Sequence, residues 1–173
     1  MSLRQTIFNW YRKRAPRHQA TFPRLDRVQT VLLLFESDLT EKNLQVKQLA
    51  KELAKEGREV TAWGYVDMKR SQSAILRNYR VLSRSDINLF HKPKSTHLDD
   101  LKGQHFDLLI DLSLHQVLPL RYLALYANAD FRAGAQTQEP YLSDFMLALP
   151  PDKDQVYLFD QIMYYLKNIQ SND

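Results

Sequence analysis

A chain of 173 residues, 44% hydrophobic and 25% charged, is long enough for one domain around a single sizeable core, and its lack of cysteine excludes disulfides, thiolate metal sites and a cysteine nucleophile. Its four glycines, Gly57, Gly64, Gly103 and Gly134, stand too far apart for a GxGxxG or GxxxxGK phosphate loop, and no apolar run approaches the roughly 20 residues that span a bilayer. The net charge of +4 is uneven: residues 1–27 carry seven basic residues against one acid, Asp26, a net of +6, so the remainder sums to −2.

In the basic segment, Leu3, Ile7, Trp10 and Tyr11 fall at helical spacing, Ala15-Pro16 interrupts the pattern, and Phe22-Pro23 lies in a linker. This predicts a short amphipathic helix and an extended linker over residues 1–27, ahead of one α/β domain over 28–173. The first expectation is that the helix packs on its own domain, or in a homodimer, with its charged face solvated. The alternatives are a peripheral anchor, with Trp10 and Tyr11 at the headgroups and Arg12, Lys13 and Arg14 near anionic lipid, or a nucleic-acid contact.

From Val28 onward strands alternate with helices. "TVLLLF" (30–35) reads as a strand covered on both faces. A helix then starts at Asp38 or Thr40, carries a stripe of Leu44, Ala50, Leu53 and Ala54 with Val46 and Leu49 at its edges, and ends at Gly57. Further strands are expected at 58–67, 86–92, 106–112, 130–135 and 143–149. A helix opens at Pro119 and runs to 129, and the last helix turns Val156, Phe159, Ile162, Met163, Leu166 and Ile169 inward. In "MKRSQSAILRNYRVLSRSD", helical spacing puts Arg77, Arg80 and Arg84 on one face, a phosphate or RNA contact or simply a solvated surface over inward-facing Ile75, Leu76, Tyr79 and Leu82. The fold class that results is α/β: a three-layer, Rossmann-like open sheet, mostly parallel, of five to six strands with helices on both faces.

Such sheets bind ligands beyond the carboxyl ends of their strands, so the polar residues there are the ligand-binding candidates. They are Glu36, Ser37 and Asp38 after the first strand and Asp67 after the second. His91, with Lys92, follows the third, Asp111, Ser113 and His115 the fourth, and Gln136 the fifth. Asp111, Ser113 and His115 alternate along the chain and share a side, but at about 6–7 Å per step Ser113 cannot bond His115 within one strand, and Ser113 lacks the flanking glycines of a nucleophile elbow. The local alternative for Asp111 and Ser113 is that they satisfy turn amides. No catalytic residue, metal site or cofactor is expected, since the histidines show no ligand spacing.

The block "FDLLIDLSLHQVLPLRYLALYANADFRAGA", a "DLLIDLS" strand followed by a Leu- and Ala-rich helix and a strand bearing Arg132 and Gly134, resembles a small family of bacterial proteins known only as a domain of unknown function. It is also similar to the N-terminal half of heptosyltransferase-like glycosyltransferases of the GT-B fold. That resemblance implies a half-enzyme without its donor site, because "FESDLTEKN" replaces the glycine loop and no second domain has room. The expected function is a non-catalytic interaction or small-ligand-binding module with a basic docking segment, cytoplasmic or peripheral to the inner face of the membrane. The alternatives are an enzyme acting on a nucleotide, sugar or phosphorylated metabolite, and a nucleic-acid-binding protein.

Overall fold

In the computed structural model, residues 1–69, 78–137 and 142–169 are described. Their elements in chain order are α1 (Leu3–Arg14), β1 (Thr30–Glu36), α2 (Glu41–Lys55), β2 (Glu59–Tyr65), β3 (Tyr79–Leu82), a 3₁₀ turn (Arg84–Asp86), α3 (Ser95–Lys102), β4 (His105–Asp111), α4 (Leu118–Tyr126), β5 (Asn128–Ala135), β6 (Phe145–Leu147) and α5 (Gln155–Asn168). The strands form one sheet in the order β3-β2-β1-β4-β5-β6, and every neighbouring pair is parallel.

Val31 to Phe35 are all buried, which is why the first strand reads as an unbroken apolar run. Val31, Leu33 and Phe35 pack with α2 and α5, whereas Leu32 and Leu34 pack with α3 and α4, giving the three layers. Phe35 also fixes a residue on the next strand: its ring lies over Gly64, where a Cβ would come within 2.6 Å of it. Outside these layers α1 rests on α4, with buried Phe8 edge-on to Tyr122 at 4.9 Å. The linker then runs past the half of β5 that short β6 leaves uncovered, where the Thr21 amide donates to the Asp130 carbonyl and His18 pairs with Asp144 at 2.8 Å.

Several expectations are corrected. Residues 86–92 do not form a strand. Asn88 Oδ1 accepts from the Phe90 and Lys92 amides, His91 takes a φ of +60°, and the segment is a tight loop. The third strand is instead Tyr79–Leu82, so Arg80 and Arg84 do not share a helix face, and Arg77 lies outside the described residues. Helix α3, with Leu98 and Leu101 buried, had no counterpart in the sequence reading. In α2 the inward face is Asn43, Val46, Leu49 and Leu53, and Leu44 is exposed. In α1 Phe8 faces inward while Leu3 and Trp10 face out. In α5 Leu158 joins the core and Ile169 is exposed.

Candidate functional site

The strand order reverses between β1 and β4, so the loops leaving these two strands diverge and open the crevice where α/β sheets hold ligands. Here the chain fills much of that crevice itself. Glu36, at the end of β1, reaches across to the loop after β4, where its Oε1 accepts from the Leu114 amide at 2.9 Å and the His115 amide at 2.8 Å. The His115 ring Nδ1 lies 3.1 and 3.2 Å from the two carboxylate oxygens, and Lys42 Nζ is 3.6 Å from one of them. Two successive amides directed at one point form an anion-binding concavity, and Glu36 occupies it.

The start of α2 is closed in the same way. Asp38 Oδ1 accepts from the Thr40 amide at 2.8 Å and the Lys42 amide at 3.1 Å. Burial works to raise this carboxyl, but the two amide bonds prevail and hold it below its ordinary range. The Ser37 hydroxyl donates to Asn43 Oδ1 at 2.8 Å and accepts from the amide of Leu39, which sits at a φ of +63°. In dinucleotide-binding sheets the free amides of this helix end grip a pyrophosphate, whereas here Asp38 takes them.

The open space lies one strand further along. A small open cleft is lined by Asp111, Ser113, His115, Gln116, Arg121, Ala135, Thr137, Leu142, Ser143 and Met146. Asp111 Oδ1 accepts from the Ser113 amide at 2.9 Å. Burial pushes the Asp111 carboxyl above its ordinary range, opposed by the Ser113 hydroxyl and amide beside it, which lower it. Ser113 is 4% exposed, and among the described residues its Oγ makes no well-aligned hydrogen bond, lying beside the Asp111 carboxyl that it lowers. Gly134 stands opposite Asp111 in register, and a Cβ there would lie 3.1 Å from both the Asp111 carbonyl and the Ser143 hydroxyl, so this glycine lets the cleft walls close up. Arg132, its neighbour in the Arg-Ala-Gly block, turns away: its Nη2 donates to the Ala127 carbonyl at 3.1 Å and caps the end of α4.

Of the sequence candidates, the cleft therefore collects Asp111, Ser113 and His115, with Glu36 fixing its rim. It also collects Arg121, Thr137, Ser143 and Met146, which sequence reasoning missed. Asp67 and His91 gather elsewhere, beyond β2. There Asp67 is held by Arg84 through contacts of 2.6 and 3.1 Å and accepts from the Tyr65 hydroxyl at 3.3 Å, and burial, with Asp67 adding to it, pushes Tyr65 up to about 12. Burial, with Arg4 close by, lowers His91. Arg80 lies over the Trp63 ring at 4.4 Å and pairs with Asp100 at 2.8 Å, a packing role. Arg12 is half-buried and adds to the burial that lowers the Arg121 guanidinium, while Lys13 and Arg14 are exposed.

At the opposite, amino-terminal ends of β4 and β5, His105, Asp107 and Asp130 bring three metal-ligand atoms within 4.8 Å of one another, a grouping the sequence reading did not find. Each already has a structural role. His105 Nε2 lies 2.9 Å from Asp130 Oδ1, and Asp107 Oδ2 accepts from the Gln29 and Thr30 amides at 2.7 and 2.9 Å. Among the described residues no helix is long and apolar enough to cross a membrane.

No curated protein and no solved structure matches the chain. Over residues 2–169 the sequence matches DUF6913, a family of unknown function, and the chain belongs to that family.

Proposed function

We propose that this protein is a non-catalytic, Rossmann-like module that binds a small, uncharged, hydroxyl-rich molecule of the sugar type in the cleft between β4, β5 and β6. The observation that carries this reading is the Ser113 hydroxyl, buried in the cleft lining without a well-aligned hydrogen bond. A buried hydroxyl left unpaired costs about 1–3 kcal/mol, and a ligand hydroxyl that paired with it would recover that cost. The preference for a neutral ligand rests on Glu36 and Asp38, which already occupy the two amide sites where a nucleotide phosphate would be gripped.

The non-catalytic assignment rests on how the reactive-looking groups are used. The His115 Nδ1 edge is directed at Glu36, so that edge is not free to take a proton from Ser113. A thermal-shift screen with neutral sugars and polyols, their phosphates, and nucleotides tests the proposal, because a ligand that binds only the folded state raises its melting temperature. Neutral sugars are expected to raise it in the native protein and not in Ser113→Ala. A nucleotide shift that survives Ser113→Ala contradicts the reading, and turnover of any bound compound contradicts its non-catalytic part.

A further inference from the structure

We propose that the outer face of α1, together with the loop Asn88–Lys92, docks the protein on an anionic lipid bilayer. This surface is separate from the cleft, and the inference does not depend on the ligand assigned there.

Phe8 fixes the inward side of α1, so the opposite side carries Leu3, Trp10 and Arg14, spaced seven and four apart on one helical stripe, with Lys13 at its margin. Leu3 is 69% exposed and Trp10 49%. Arg14 lies over the Trp10 ring at 3.8 Å, which couples a cation to an amphipathic ring as residues at a headgroup boundary require.

The neighbouring loop adds a second apolar point. Asn88 holds the Phe90 and Lys92 amides at 2.9 and 3.0 Å, and this tight turn presents Leu89, 84% exposed, at its tip. Arg4 Nε donates to the Leu89 carbonyl at 3.2 Å and ties the loop to α1. Lys92 Nζ lies 3.8 Å from the centre of the Tyr11 ring, adding a cation beside the helix. Residues 1–25 contain no acid, and Asp67, the carboxylate that faces His91 in this loop, is neutralised by Arg84.

Apolar side chains on a rigid tip beside a helix rich in cations and lacking acids complement an anionic headgroup layer. A nucleic-acid groove would instead favour cations in a stripe with aromatic faces open for stacking, whereas Arg14 covers one face of the Trp10 ring.

The chain contains its own reporter, because Trp63 is 1% exposed and Trp10 is the outward tryptophan. The full-length protein is mixed with vesicles of phosphatidylglycerol and phosphatidylcholine, and separately with vesicles of phosphatidylcholine alone. Binding is followed by co-sedimentation and by Trp10 fluorescence. The expected result is partitioning onto the anionic vesicles with a blue shift, both weakening as salt rises. Each cation near such a surface is worth about fivefold in partitioning, so Lys13→Gln with Arg14→Gln together should weaken it by about 25-fold. Leu3→Glu with Leu89→Glu should abolish it. All four side chains are exposed, so an unchanged melting temperature verifies folding. Absent partitioning, or equal partitioning onto both vesicle types, overturns the proposal. A Trp10 shift with single-stranded RNA but not with vesicles assigns the face to nucleic acid. A dimer that Leu3→Glu and Leu89→Glu dissolve, without vesicle binding, assigns it to a second copy.

Discussion

Replacing Ser113 by alanine should stabilise the ligand-free protein, the reverse of what removing a buried polar side chain usually does. The Ser113 amide keeps its bond to Asp111, because that bond uses the backbone. Only Oγ is lost, and it makes no well-aligned hydrogen bond among the described residues, so the change removes a desolvation cost of about 1–3 kcal/mol, less the contact it makes with the Asp111 carboxyl. The space left by one oxygen, on the order of 10 Å³, costs about 0.2–0.3 kcal/mol at 24 cal/mol per Å³. The net gain is about 1–2 kcal/mol, or roughly 2–8 °C in melting temperature for a chain of this size. Urea denaturation followed by far-UV circular dichroism measures it, with an unchanged slope showing that the gain lies in stability. A loss of more than about 1 kcal/mol would mean that the hydroxyl is paired in the folded protein, and the observation behind the proposed ligand site would fall.

Three further outcomes follow from the same geometry. Glu36→Ala removes an acceptor shared by two amides and should cost about 2–4 kcal/mol, while leaving those amides free to bind inorganic phosphate, which the native protein should not bind there. Urea denaturation checks the first half and calorimetric titration with phosphate the second. Asp111→Asn keeps an acceptor for the Ser113 amide but cannot ionise. Because burial raises the folded-state pKa of Asp111 above its ordinary 3.8, the folded protein binds more protons than the unfolded chain, and stability falls as pH rises through and above 3.8. The variant should therefore be more stable than the native protein at pH 7, with the difference vanishing near pH 3.5; a constant difference across that range would refute the assignment. Gly64→Ala places a methyl against the Phe35 ring and should cost about 1–3 kcal/mol, measurable by thermal denaturation.

The elements visible in the sequence were those whose signal is local and long. β1 is an unbroken buried run, and α2 has a 15-residue amphipathic pattern with Gly57, at a φ of +85°, just beyond its end. β3 has four residues, too few for alternation to outweigh the helical spacing that surrounds it. The segment 86–92 alternates like a strand, yet Asn88 turns it back on itself through side-chain bonds to two amides, and Leu89 ends up exposed.

The candidate site was legible where position along a strand decides it: Glu36, Asp111, Ser113 and His115 do lie at carboxyl ends. What sequence could not supply was the pairing of β1 with β4, which brings Glu36 to amides 78 and 79 residues away. Arg121 left a faint signal, two residues beyond a helix-opening Pro119 and so near the exit of β4, and Gly134 left another as a glycine inside a strand. Thr137, Ser143 and Met146 left none, because they enter the cleft only through the β5–β6 pairing.

Amide chemical-shift mapping by NMR tests the central claim most directly, with neutral hexoses and ATP added separately to the full-length protein. The predicted result is that hexoses shift Ser113, His115, Thr137 and Ser143 while ATP leaves the Leu114, His115, Thr40 and Lys42 amides in place, since Glu36 and Asp38 hold them. ATP shifts centred on those four amides, with no response to hexoses at the cleft, would contradict it.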